Sequence, residues 1–299
     1  MGSNADAKRL ILLVQYDEVR KIVDVLPDNI PYAIVKGAPL SMLAYNSCFR
    51  RKIGDVDFLV SRESVGKVTQ VLEENGFHTE YQSREDKLIA LMYSHQTRPF
   101  VKNTPLWKTY IDVNYDIFWG EYEDKRINMD EFLRDSIEIE VAGCRVKTLN
   151  PLKTMIQLVL HHYKEMNSLY HLAIHNSITM SMFADVYNLL KNNISDVSID
   201  NLYRLSKEYG IVEYVFYVLF YTSELFRDSI LKKYVDCFWT EKGEHLLSCY
   251  GLCERERKEW KCDFQTRLAA KDLFSLIKDQ LSLEDMEKIN RNRLVFGEG

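Results

Sequence analysis

Apolar residues recur at helical intervals over residues 6–26, with Leu10, Leu13, Val14, Ile22 and Val23 on the stripe, which predicts an opening helix. Pro27-Asp28-Asn29 ends it. A short apolar run over residues 32–36 reads as a strand that turns at Gly37. Pro39 suits the first turn of a helix reaching Tyr45, where its missing N–H is not needed. Residues 53–60 read as a second strand. Ser61 then caps a helix that Gly76 stops after Asn75. Residues 77–82 and 88–94 have strand character, and a polar loop is expected over 95–105.

From Trp107 to Phe118 the alternation is strict. Ile111, Val113, Tyr115 and Ile117 fall on one face, and Tyr110, Asp112, Asn114 and Asp116 on the other. That predicts a strand with one core face and one acid-bearing face. Residues 137–149, centred on Ala142-Gly143, read as a hairpin. Beyond Asn150-Pro151 the pattern is helical almost throughout: 151–167, 178–192, 199–209, 212–226, and weaker segments to about residue 289. The fold class expected is α+β. A domain of mixed sheet and helices over 1–149 is followed by an all-helical domain over 150–299, without a Pro- or Ser-rich hinge between them.

Composition narrows the classes. The chain has 299 residues, 46% of them apolar and 28% charged, as in an ordinary globular protein. Its net charge of −5 argues against a broad nucleic-acid footprint. No apolar run reaches the length of a membrane span, and the N-terminus lacks the apolar core of a signal peptide, so a cytoplasmic protein is expected. Six scattered cysteines fit reduced thiols. His245, Cys249, Cys253 and Cys262 match no common zinc spacing, and His171 with His175 has no third ligand at suitable spacing, so surface histidines are expected there. The run Glu254–Glu259 reads as a solvated helix face with i,i+4 pairs.

The chemistry concentrates at Asp55-Val56-Asp57. Residues i and i+2 of a strand project from the same side, so the two carboxylates lie a few ångströms apart. Carboxylates that close repel unless a cation lies between them, and Mg²⁺ favours one or two carboxylates plus substrate phosphates. Asp112, on the polar face of a neighbouring strand, is the third candidate ligand.

Lys36-Gly37, Arg50-Arg51, Asp55-Val56-Asp57 and Asp112 together resemble the nucleotidyltransferase superfamily that includes DNA polymerase β and the kanamycin-type antibiotic nucleotidyltransferases. More narrowly, they resemble a family of uncharacterised nucleotidyltransferases. That family shows a Lys-Gly strand-turn, an Arg-x-x-x-Asp-hydrophobic-Asp strand and a later strand carrying another Asp. A helix with a His-x-x-Lys-like motif follows, then a helix with an Asp before small and apolar residues. Here the later elements correspond to Ile111-Asp112-Val113-Asn114, His161-His162-Tyr163-Lys164 and Phe183-Ala184-Asp185-Val186.

The resemblance implies a polymerase-β-type catalytic domain, with the helical domain completing the nucleotide and acceptor cleft. It implies two Mg²⁺ ions (or Mn²⁺ in substitution) held by Asp55, Asp57 and Asp112, with Asp112 as general base. ATP is the expected NTP, and the expected reaction is transfer of AMP to a hydroxyl or phosphate of a small molecule such as a sugar. Lys36, Gly37, Ala38, Ser41, Arg50, Arg51 and Lys164 are the expected nucleotide contacts. Asn114, His161, His162 and Asp185 are the expected acceptor side, with Asp185 meeting either the acceptor or a basic side chain. Two departures matter. Pro39 offers no N–H where relatives have Gly-Ser or Gly-Gly, and Asn114 stands in place of the usual His. The alternatives are nucleotidylation of a protein or RNA, and a nucleotide-binding protein without turnover.

Overall fold

A computed structural model describes residues 2–52, 54–79, 95–118, 125–174 and 177–296. The strand expected over 88–94 and His175 lie outside them. The chain gathers into two compact units, one of residues 1–117 and 126–154, the other of residues 118–125 and 155–299.

The first unit opens with α1 (Gly2–Val23), then β1 (Tyr32–Val35), α2 (Gly37–Tyr45), β2 (Val56–Val60) and α3 (Val65–Glu74). After them come β3 (Phe100–Asn103), β4 (Lys108–Asn114), the short α4 (Met129–Leu133) and the hairpin β5 (Ile137–Val141) with β6 (Cys144–Thr148). Four strands form a mixed sheet in the order β1-β2-β4-β3. β1 runs antiparallel to β2, β2 parallel to β4, and β4 antiparallel to β3.

β3 corrects the polar loop expected over 95–105. Its four residues are too few for a readable period, and their pairing with β4 makes them a strand. Of the expected strand at 77–82, the described part contributes His78, bridged to Val101. In the hairpin, Ala142 and Gly143 both take positive φ (51° and 77°), as a tight two-residue turn between right-twisted strands demands.

The buried stripe of α1 is Leu12, Tyr16, Val19 and Ile22, whereas Leu10 and Leu13 are each 49% exposed. Both stripes have helical spacing, so periodicity alone could not choose between them. The chosen stripe packs with Ile34, Phe58, Val60, Ile111 and Val113 of the sheet in one core. An ion-paired brace adds to this: Glu18 of α1 accepts from Lys102 of β3 at 2.5 Å and from Lys21 at 2.7 Å.

The second unit is helical. Its main elements are α5 (Pro151–Asn167, whose first turn belongs to the first unit), α6 (Leu169–Ala173), α7 (Met180–Asn192), α8 (Ile199–Glu208) and α9 (Val212–Phe226). They are followed by α10 (Ser229–Phe238), α11 (Glu241–Leu247), the two-residue strands β7 (Cys249–Tyr250) and β8 (Lys258–Glu259), α12 (Phe264–Ala269) and α13 (Leu283–Phe296). Residues after α9 are anchored to it: Phe264 stacks on Tyr221 at 3.8 Å, and buried Arg267 donates to the Tyr221 hydroxyl at 2.7 Å.

Two further expectations fail here. Residues 254–259 are not a solvated helix. They form a 3₁₀ turn and β8, with Glu256 buried and paired to Lys288. His171 is buried against the edge of the Tyr170 ring, not on the surface.

Candidate active site

β2 and β4 are adjacent and parallel, and their register sets Asp57 directly opposite Asp112. Asp55 immediately precedes β2, two residues from Asp57 and on the same side. Carboxylate oxygens of Asp55, Asp57 and Asp112 all lie within 4.8 Å of one another. Asp55 is exposed, while Asp57 and Asp112 are 3% and 8% exposed.

The electrostatics of this cluster are unbalanced. Lys36 donates to Asp57 Oδ1 at 2.6 Å, and Asn114 donates to the same oxygen at 3.3 Å. Burial still pushes the Asp57 carboxyl up, with Asp55 adding to the push against the pull of Lys36. Burial holds Asp112 well above the ordinary carboxylate range, and the neighbouring Asp57 and Asp55 raise it further. Burial works against the Lys36 charge, yet Asp57 outweighs it and raises the ammonium above its usual value. Asp112 Oδ1 is buried without a hydrogen-bond partner. Such an orphaned acceptor costs about 1–3 kcal/mol, and more when charged. An all-oxygen set with one ammonium for three carboxylates, and with an acceptor left over, fits a hard divalent cation.

The turn before α2 faces this cluster. Lys36 adopts φ 55° and ψ −150°, a region that non-glycine residues enter only under strain. Gly37 follows with φ 40°. A Cβ there would have room, its nearest neighbour being the Asp55 carbonyl at 3.9 Å, so the backbone conformation is what selects glycine. Pro39 lacks an N–H and Leu40 N–H is spent on the Lys36 carbonyl. Gly37 and Ala38 carry the remaining N–H groups of the helix's first turn. Gly37, Ala38, Arg51 and Asp55 line one small cleft, on whose wall Arg50 does not appear. Ser41 departs from its expected phosphate role. It is fully buried, donates to the Ser47 carbonyl at 2.6 Å and accepts from Arg50 N–H at 3.2 Å, so its hydroxyl braces the loop. Asn114, expected on the acceptor side, is turned onto Asp57.

The helical unit holds the other expected residues. His161, His162 and Lys164 lie on α5 and Asp185 on α7, with His162, Lys164 and Asp185 all buried. His161 Nε2 is 3.2 Å from Glu165 Oε1, and His162 Nδ1 is 3.5 Å from Glu165 Oε2. Burial opposes the Glu165 charge, but the two imidazoles hold its carboxyl well below the usual range. Of the group His245, Cys249, Cys253 and Cys262, only a Cys249 Sγ to His245 Nε2 approach of 3.6 Å is formed among the described residues, and all six cysteines are free thiols.

One contributor escaped the sequence reading. Gln15 of α1, 2% exposed, donates to the Gly54 carbonyl at 2.5 Å and so pins the residue before Asp55. Its signal was present: Gln15 is a polar residue three positions from Leu12 and four from Val19, on the buried stripe.

With this geometry stands a match over residues 5–227 to the family described as "Uncharacterised nucleotidyltransferase". The chain belongs to that family. This nucleotidyltransferase is therefore a transferase enzyme, and its family implies an NTP substrate. No curated protein matches it by sequence. Among solved structures, the antibiotic-resistance factor ANT(2'')-Ia, whose solution structure is described as revealing substrate-regulated conformation dynamics, is 14% identical with a TM-score of 0.42. That match covers 68% of this chain and 96% of the other. An antigenic nucleotidyltransferase-like protein from Paracoccidioides brasiliensis is 16% identical with a TM-score of 0.37, covering 75% of this chain and 98% of the other. No helix among the described residues is long and apolar enough to cross a membrane.

Proposed function

We propose that the nucleotidyltransferase holds two Mg²⁺ ions at Asp55, Asp57 and Asp112. It transfers an NMP, with AMP from ATP preferred, to a hydroxyl or phosphate of a small molecule such as a sugar, releasing pyrophosphate. The observation that carries this reading is the convergence of three carboxylates within 4.8 Å, one of them with an orphaned buried oxygen. Bound divalent cations supply charge to the attacking and leaving oxygens of phosphoryl transfer.

The chain's own residues do the rest. Asp112 takes the acceptor's proton as its oxygen attacks the α-phosphorus. A new O–P bond forms, and the bond from that phosphorus to the bridging oxygen of pyrophosphate breaks. Asn114 fixes the orientation of Asp57. The Gly37 and Ala38 amides and Arg51 receive the phosphates, with Arg50 behind them on the same loop. Lys36 neutralises Asp57 until phosphate arrives, then turns to the incoming charge. The strain stored at its backbone is a sign of function at such a turn.

A small acceptor is favoured over RNA by the net charge of −5. The six free thiols support a reducing compartment, the cytoplasm. The test is pyrophosphate release with mass detection of the NMP adduct. The full chain is given each of the four NTPs, Mg²⁺ or Mn²⁺, and a panel of sugars, sugar phosphates, RNA and protein. Metal-dependent adducts on a sugar or sugar phosphate are expected. Equal turnover by wild type and Asp57→Asn overturns the assignment of the carboxylates, and an adduct on RNA or protein overturns the acceptor class.

A further inference from the structure

We infer that His161, His162 and Glu165 form a second metal site, in the helical unit, for a transition cation of the Zn²⁺ class. The site is independent of the acidic trio and of the proposed reaction. It also gives His161 and His162 a different task from acceptor binding.

Helix geometry assembles the ligands. Positions 161 and 165 stack one turn apart, and 162 lies three residues before 165, so a side chain at 165 reaching toward the helix N-terminus meets both rings. Three donor atoms result, one ring nitrogen from each histidine and one Glu165 carboxylate oxygen, all within 4.8 Å of one another. With metal–ligand bonds of about 2.0–2.1 Å, neighbouring ligands of a tetrahedral ion are about 3.3 Å apart. His161 Nε2 lies 3.2 Å from Glu165 Oε1 and His162 Nδ1 lies 3.5 Å from Oε2, so each imidazole stands close to that spacing from the carboxylate.

Burial supplies an independent observation. His162 is 3% exposed, and neither of its ring nitrogens makes a hydrogen bond. The approach of its Nδ1 to Glu165 is too poorly aligned to count as one. A buried imidazole with idle nitrogens is costly, and a cation at Nδ1 satisfies one of them. The side chains of His161 and Glu165 are 20% and 27% exposed, which leaves a path for an ion and room for water as a fourth ligand.

The donor set selects the ion. Two imidazoles and a carboxylate suit Zn²⁺, Ni²⁺ or Cu²⁺, whereas the trio of the first unit offers only oxygen and suits Mg²⁺ or Mn²⁺. Excess Mg²⁺ should therefore fill the trio and leave this site open.

The experiment is titration of the full chain with ZnCl₂ against a chromophoric chelator in excess Mg²⁺, repeated with CoCl₂ for the visible bands of a four-coordinate ion. One Mg²⁺-resistant equivalent of Zn²⁺ is expected. It should be unchanged in Asp57→Asn and weakened more than about a hundredfold in His161→Ala and Glu165→Gln, since loss of a ligand exceeds the 10–100-fold typical of outer partners. In parallel, wild-type protein with ¹⁵N-histidine should show two of its seven histidine rings shifting on Zn²⁺ addition, which needs no variant to fold. Absence of a Mg²⁺-resistant equivalent, an equivalent that survives both substitutions, or unshifted rings overturns the inference and leaves a carboxylate clasped by two imidazoles.

Discussion

The two clusters of ligand-type side chains differ in how they are assembled and in how their charge is settled. Asp55, Asp57 and Asp112 come from a turn and two strands far apart in sequence, and register alone brings them together. His161, His162 and Glu165 come from a little over one turn of a single helix. In the first cluster burial and mutual repulsion push two carboxyls up, with one lysine in partial compensation. In the second, two imidazoles hold one carboxyl down. A site built by tertiary contacts can gather like charges that no local segment would tolerate. A site built on one helix arrives with its counter-charges in place.

Asp57→Asn should separate the two clusters most strongly. Nucleotidyl transfer should fall at least about a thousandfold by pyrophosphate release, because the group stabilising reacting charge is lost. Glu165→Gln should leave the protein folded, with transfer far less affected. Equal losses from the two would erase the distinction between the clusters.

Lys36→Met removes the compensating charge of the acidic trio. Without the ammonium, Mn²⁺ binding to the nucleotide-free protein should tighten about tenfold by EPR titration, since a positive neighbour at contact distance is removed. Turnover should fall nonetheless, because phosphate loses its cation. Weaker Mn²⁺ binding would show that Lys36 organises the trio instead of competing for it.

Gln15→Leu tests how far tertiary support reaches. Release of the Gly54 carbonyl should raise KM for the metal–nucleotide several-fold, with kcat less changed, and lower stability by about 1 kcal/mol in urea. A loss of stability with KM unmoved would make Gln15 a purely structural residue.

The smallest effect is expected outside both clusters. Glu18 is buried in an ion pair that joins α1 to β3; burial raises its carboxyl, but Lys102 and Lys21 prevail and hold it below its usual value. A carboxyl lowered by folding stabilises the protein fully above its ordinary pKa of 4.5, and that contribution is lost as pH falls through the folded value. Glu18→Gln should therefore cost about 1–2 kcal/mol at pH 7 and almost nothing at the acid end of that window, by urea unfolding at both. A cost independent of pH would refute the ion-pair account.

Much of the fold could be read from residue order. Alternation from Trp107 to Phe118 placed Asp112 on the polar face of a strand, and the Asp55-Val56-Asp57 spacing put two carboxylates on one side. The Ala142-Gly143 turn marked its hairpin. What escaped reading was of another kind. β3 was too short to show a period. The stripe of α1 was chosen by what it packs on. Ser41, Asn114, His171 and Glu256 were judged by residue type, while their partners (Ser47, Asp57, the Tyr170 ring and Lys288) lie wherever the fold puts them.

Residue order alone was enough for the succession of most helices and strands, for the acid-bearing face of β4, and for the placing of Asp55 and Asp57 on one side. Those are consequences of local geometry, the periods of 2.0 and 3.6. Packing set Asp112 opposite Asp57, turned the charge of Lys36 onto Asp57, and brought Gln15 to the turn before them. Pairing register and burial are set by the packing of distant segments, and no repeat along the chain encodes that distance.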